Sequence, residues 1–315
     1  MDVLLTQYYS YDTSMNVAKL LHNPTAGEAA STALELRSLI ESNGFECQYA
    51  STKDSGWETI GPEVDFLIVA GGDGTVRQVA QRQLTAPKRP EPLPIAILPK
   101  GTANNIALTL GLTGTSDEIV AGWHRGRIIQ YQVGLIHGLA KPEFFLEGCG
   151  LGVFPKLINT MRDQEEAENE TREESLLQAL TTLHSLIGSH RAETCQLILD
   201  TANYADEFVL LEVLNSRLLG PNLCLAPAAN PQDKAFEVVL VTEQERPRLS
   251  RYVDALRLGG LTGWGDRLSA ISATQVKLST QTDYLHIDDE VISLDGPTDI
   301  TISFRAQGLP FLLPG

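Results

Sequence analysis

Apolar residues fall in short blocks separated by glycine-, asparagine- and acid-rich turns. Val17–His22 is a compact apolar run that predicts a strand. Glu28–Ser42 sets Ala29, Ala33, Leu36 and Ile40 on one face, predicting a helix that stops at Asn43-Gly44. The alternation continues with strands at Phe45–Ala50, Val64–Ala70 and Ile95–Leu98. Helices are predicted at Val76–Leu84, at Asn104–Leu110 before Gly111, and at Asp117–His124 with Ser116 as its cap. Strands separated by helices predict a parallel, doubly wound α/β sheet. After Gly134 the pattern changes: Phe144–Leu151, Cys195–Leu199, Phe208–Leu214, Ala235–Val241, Gln275–Ser279 and Leu285–Ile287 read as strands with few helices between them. That order predicts an antiparallel β-sandwich. Two helices interrupt it. Gln164–Ile187 carries Leu176, Leu180, Leu183 and Ile187 on one stripe, and Arg248–Leu258 carries Leu249, Tyr252, Val253 and Leu256 on one face.

Composition narrows the function. The 315 residues hold 24 Lys+Arg against 40 Asp+Glu, a net charge of −16, which argues against broad nucleic-acid binding. Charge is uneven: residues 163–174 hold seven acids and one arginine, whereas 246–267 hold five arginines and two aspartates. The second stretch is a candidate membrane-approaching patch. No apolar run reaches the ~20 residues that span a bilayer, and Met1–Ser10 lacks the pattern of a secretory signal. A cytoplasmic protein without a transmembrane segment is expected, in transient peripheral contact with membranes. Cys47, Cys149, Cys195 and Cys224 show no metal-binding spacing and read as reduced thiols.

The sharpest chemistry lies where strands meet helices. Gly71-Gly72-Asp73-Gly74-Thr75 follows the apolar strand 64–70 and precedes a helix. Glycines let a phosphate approach backbone N–H groups, and the helix N-terminus adds partial positive charge at the same place. Asp73 within the turn can hold or orient magnesium with its phosphates. Pro99-Lys100-Gly101-Thr102-Ala103-Asn104-Asn105 repeats the logic after the strand 95–98, and Asn23-Pro24-Thr25-Ala26-Gly27 ends the first strand at the same edge. Neither a Walker A loop nor a GxGxxG fingerprint is present. Three such loops point to a nucleotide.

Taken in order, NPTAG (23–27), GGDGT (71–75), PKGTANN (99–105), NSRLLGPNLCLAPAANPQD (215–233) and IDDE (287–290) resemble the bacterial lipid kinases of the diacylglycerol kinase catalytic-domain family, relatives of sphingosine and ceramide kinases. GGDGT alone is also similar to NAD kinases. The resemblance implies a nucleotide-binding α/β domain (1–134, with about 300–315 returning to it, the strand starting at Ile300–Phe304) and a β-sandwich substrate domain (135–299), with the active site between them. It implies transfer of the γ-phosphoryl group of ATP, with Mg²⁺, to a hydroxyl of diacylglycerol or a similar lipid at the membrane surface, and it admits a homodimer. Asn23, Pro24, Thr25, Ala26, Gly27, Thr52, Gly71, Gly72, Asp73, Gly74, Thr75, Val76, Arg77, Thr102 and Asn104 would contact ATP. Glu290 would be the general base with Asp288 beside it, and Asp73 would position nucleotide and metal. Asn230, Asp233 and the backbone of Ala235 would form a structural magnesium site, with Lys234 where relatives have glycine. Other departures are Gln78 and Asn105 where relatives carry carboxylates, Arg77 for asparagine, and Asp289 for glycine, which crowds three carboxylates. These leave open a catalytically weakened nucleotide- or lipid-binding protein, or an NAD kinase-like enzyme.

Overall fold

The structure, a computed structural model, describes residues 15–26, 32–85, 91–141, 143–164, 171–260 and 268–315. Gly27, the start of the first predicted helix, most of the acidic stretch before 171 and the end of the arginine-rich stretch lie outside them. In the first unit β1 (Val17–His22), α1 (Ala33–Ser42), β2 (Glu46–Ser51), β3 (Phe66–Gly71), α2 (Asp73–Thr85), β4 (Ile95–Pro99), α3 (Asn105–Thr109), α4 (Ser116–Gly122) and β5 (Arg127–Tyr131) follow one another. β1 and β3 are almost wholly buried, as their unbroken apolar runs demand.

The second unit contains β6 (Gly134–His137), β7 (Glu143–Phe145), β8 (Gly148–Gly152), α5 (Val153–Asp163), α6 (Arg172–Ser189), β9 (Glu193–Leu199), β10 (Ala202–Leu214), β11 (Phe236–Thr242), α7 (Arg246–Arg257), β12 (Ala270–Ala273), β13 (Val276–Thr280), β14 (Tyr284–Ile287), β15 (Glu290–Ser293) and β16 (Thr298–Phe304). β17 (Leu309–Leu313) then crosses back to the first sheet. That sheet runs β2-β1-β3-β4-β17-β5, parallel throughout except for β5. The other sheet is antiparallel and eleven-stranded. β10 serves three neighbours: 202–208 pair with β9, 210–214 with β8, and Phe208 and 210–214 with β11, and the sheet's buried apolar residues share one core. The predicted combination of an α/β unit and an antiparallel β unit is therefore what forms.

Several element bounds differ from the sequence reading for identifiable reasons. α2 starts at Asp73, three residues before the predicted Val76, since an acidic residue favours the first turn. The cap of α4 is Thr115 instead of Ser116: its hydroxyl accepts from Glu118 N–H while Glu118 reaches back to the Thr115 N–H. The same reciprocal cap at Thr171 and Glu174 starts α6 at Arg172, well after Gln164. α5 was not among the predicted helices; its Pro155 sits in the first turn, where a missing N–H costs no intrahelical bond. The predicted strand 144–151 breaks into β7 and β8 at Leu146-Glu147, whose N–H groups turn to Asp288. Thr298–Phe304 pairs with β13 and β6 in the antiparallel sheet, so the strand that returns begins at Leu309. The predicted apolar stripes do pack: Leu180, Leu183 and Ile187 of α6 share a core with Leu249, Tyr252 and Val253 of α7.

Candidate active site

In the first sheet the chain leaves β1 for β2 on one side and returns to β3 on the other, so the loops after β1 and β3 diverge at a switch point. Asn23 N–H donates to Ala70 O (2.9 Å), and the Asn23 amide donates to the buried Thr75 hydroxyl (3.3 Å). Asn23 Oδ1 accepts from Thr25 N–H and its hydroxyl (3.2 and 2.9 Å), which folds Asn23–Ala26 over the rim. Thr52 lies at the same edge, its buried hydroxyl donating to His22 O at 3.3 Å.

The two glycine loops touch. Lys100 N–H donates to Gly71 O (3.0 Å), and a Cβ on Gly72 would stand 3.0 Å from Gly101 Cα. A Cβ on Gly101 would run into Gly72 itself, so close backbone approach requires glycine at 101, and at 72 it leaves a Cβ room only if the facing loop shifts by a few tenths of an ångström. The result is a cradle without side chains at the N-terminal end of α2, suited to phosphate oxygens. Burial and then the nearby Lys100 charge lower the His22 pKa, which favours its neutral imidazole. Thr102 is exposed on the loop. Asn104 is used differently from the sequence expectation. It takes left-handed backbone (φ 53°), and its carboxamide both accepts from Gly101 N–H (2.8 Å) and donates to Gly101 O (2.6 Å), so it shapes the loop and has little left for a ligand.

Asp73 joins the loops. Its carboxylate accepts from Asn105 N–H and Ile106 N–H, both at 2.9 Å. Burial pushes its pKa up to about 6 against those two N–H groups, and the Asp288 charge adds to the rise. A raised folded pKa means the contribution of Asp73 to stability is complete below about pH 4 and is lost as pH climbs through about 6. Between these values the wild type should lose on the order of 2 kcal/mol relative to Asp73→Asn, read by denaturant unfolding of both proteins at each pH.

From the antiparallel unit, the β14–β15 turn brings Asp288, Asp289 and Glu290 to this rim. Arg77, on α2, donates to Asp288 Oδ2 (3.0 Å) and to Glu290 Oε1 (3.1 Å), while its guanidinium lies 5.1 Å from the Phe144 ring centre. Asp288 is buried and also accepts from the N–H groups of Leu146, Glu147 and Gly148. Its pKa is raised because burial outweighs Arg77 and those donors; crowding with its neighbours in sequence is not the main cause. Glu290 is half exposed, a Cβ on Gly74 would stand 3.0 Å from Asp289 Oδ2, and Arg162 of α5 donates to Asp289 O (2.6 Å).

Glu147 was not foreseen. It is buried, and its pKa stands well above the carboxylate range through burial first, then the charges of Asp73 and Asp288, despite a hydrogen bond with Asn105. The available signal was one acid inside the apolar run FFLEGCGLGVF. Asn105 explains its own departure: its Nδ2 donates to Gly220 O (3.0 Å) and its Oδ1 accepts from Asn222 Nδ2 (2.9 Å), clasping the two units. A carboxylate cannot make that donation and would face Glu147. Asn105→Asp should therefore cost about 1–3 kcal/mol in urea unfolding and lower activity.

The expected structural magnesium site fits poorly. Asn230 Oδ1 accepts from Gln232 N–H and Asp233 Oδ1 from Ala235 N–H, both at 3.1 Å, so the turn closes on itself, with Lys234 exposed beside it. Among the described residues no group of three or more His, Cys, Asp or Glu side chains is arranged to hold a metal ion. None of their helices is long and apolar enough to cross a membrane. Cys47, Cys149 and Cys195 are free and buried, and Cys224 is free and half-buried.

The chain thus joins a mostly parallel α/β unit carrying a glycine cradle to an antiparallel unit whose carboxylate turn faces that cradle. Residues 17–136 match the family model of the diacylglycerol kinase catalytic domain. A Staphylococcus aureus (strain Newman) protein named "Putative lipid kinase" is 25% identical over 263 residues, covering 81% of this chain and 78% of its own. In fold, the chain is similar to the crystal structure of "a putative diacylglycerol kinase" from Bacillus anthracis str. Sterne (TM-score 0.72, 20% identity, 96% of this chain and 98% of that one). A second structure, of a diacylglycerol kinase from the same organism, gives a TM-score of 0.66 at 18% identity over 95% and 97% of the chains.

Proposed function

We propose that the protein is a lipid kinase, transferring the γ-phosphoryl group of magnesium-bound ATP to a hydroxyl of a diacylglycerol-like lipid in the cleft between its two units. The observation that carries this reading is Arg77: rooted just behind the glycine cradle, it binds Asp288 and Glu290 of the other unit, so phosphate-binding and proton-accepting groups share one cleft. Phosphoryl transfer needs positioning and charge neutralisation, with little covalent chemistry from the protein. Backbone N–H groups of the two loops and the α2 terminus would hold the phosphates. Magnesium, arriving with ATP, supplies further charge neutralisation. Glu290, half exposed and oriented by Arg77, is the group free to take the proton of the acceptor hydroxyl as its oxygen bonds to the γ-phosphorus and ADP departs. Asp288 has its oxygens bonded to three N–H groups and Arg77, which suits a positioning role. A lipid acceptor places the working protein at a membrane surface, on its cytoplasmic side where ATP is available.

The test is incubation of the purified protein with labelled ATP, Mg²⁺ and vesicles containing diacylglycerol, monoacylglycerol, ceramide or sphingoid bases, with NAD in parallel. Labelled phospholipid from diacylglycerol is expected. No labelled lipid, or label on NAD, overturns the reading.

A further inference from the structure

Glu212 of β10, Gly150 of β8 and His286 of β14 stand abreast on three adjacent strands. Because the middle residue has no side chain, Glu212 Oε2 and His286 Nε2 meet at 2.8 Å, both side chains fully buried. A Cβ on Gly150 would run into the Glu212 carboxylate. On its other edge His286 Nδ1 lies 2.9 Å from Asp288 O. A carbonyl only accepts, so Nδ1 carries the hydrogen whichever of Glu212 and Nε2 holds the second proton. Phe154 closes the ring in at 5.7 Å. Burial would lower the His286 pKa, yet the Glu212 charge and hydrogen bond and the Asp288 carbonyl raise it overall.

Burying a carboxylate and an imidazole is costly, and an apolar pair of similar volume would pack as well or better. Their position shows what they are used for. Asp288 takes left-handed backbone (φ 52°), which a residue with a Cβ adopts reluctantly, at the head of the turn that carries all three carboxylates. Its N–H is held by Gly148 O (2.8 Å), and its carbonyl is held by His286.

We infer that Glu212 and His286 are a positioning pair: Glu212 orients the imidazole, the imidazole pins the Asp288 carbonyl, and the pinned turn aims Glu290 at the cradle. Neither touches substrate. The inference rests on the reading of Glu290 as acceptor base.

The experiment compares His286→Asn with His286→Leu in the full chain, because asparagine sets an N–H where Nδ1 stood and leucine, of similar size, sets none. Both lose the Glu212 contact. Three readouts are taken: kcat and KM for ATP, thermal midpoint, and hydrogen exchange of the amides of 146–148 and 288–291. The asparagine variant should keep at least a third of kcat and slow exchange in the turn. The leucine variant should lose tenfold or more in kcat at little-changed KM for ATP, with fast exchange. Equal losses in both, in step with the thermal midpoint, would overturn the inference. The same pair in a Glu212→Leu background removes the orphaned carboxylate and decides the matter if either single variant fails to fold. If the wild type phosphorylates no lipid, the proposed function falls, while the exchange comparison still judges the pinning of the turn.

Discussion

Replacing Arg77 by methionine is expected to destabilise the protein by about 3–5 kcal/mol, with activity falling at least a hundredfold. The two ion pairs do not share this loss equally. Glu290 is 49% exposed and water can solvate it once the guanidinium is gone, so its pair contributes little. Asp288 is 2% exposed and would be left charged in the interior with only N–H donors around it. The loss should therefore be partly repaired by adding Asp288→Asn, which removes the charge and keeps an acceptor. Urea unfolding of both single variants and the double variant measures this coupling. A loss under 1 kcal/mol for Arg77→Met, or no coupling, would show that the guanidinium does not hold the turn.

The second large effect concerns chemistry with the fold left intact. Glu290→Gln preserves an acceptor for Arg77 and changes a half-exposed side chain, so stability should move by no more than about 0.5 kcal/mol. If Glu290 takes the acceptor proton, kcat should fall by about 10²–10⁴ with ATP binding unchanged. Single-turnover measurements with labelled ATP separate the two. Retained turnover would remove Glu290 from the chemistry and leave Asp289 as the exposed carboxylate nearest the cradle.

Much of the frame can be read from the chain. The apolar runs 17–22, 64–70 and 95–98 read as buried strands and form them, and the glycine-containing loops that follow mark the rim. What could not be read shares one physical cause: its meaning depends on a partner distant in sequence. Arg77 is visibly a departure from the family pattern, but nothing local says that its carboxylates lie 211 and 213 residues away. Asn105 looks like a lost charge until Gly220 and Asn222 are seen to need an amide with both a donor and an acceptor. Glu147 and Glu212 announce themselves only as acids in apolar company, without saying which of them faces the cleft and which braces the turn. Asp73, picked out for its place between glycines, turned its carboxylate to the first N–H groups of α3, a role that the glycine spacing does not encode.

The return of β17 has a consequence for biogenesis. Leu309–Leu313 inserts between β4 and β5, with Leu309 and Phe311 wholly buried and the Phe311 ring 4.9 Å from that of Tyr131. During synthesis β1 to β5 leave the ribosome first, yet their sheet lacks an inner member until the entire antiparallel unit has been translated. The half-made sheet must wait with an open seam for β17, so the two units should melt and refold in one cooperative transition.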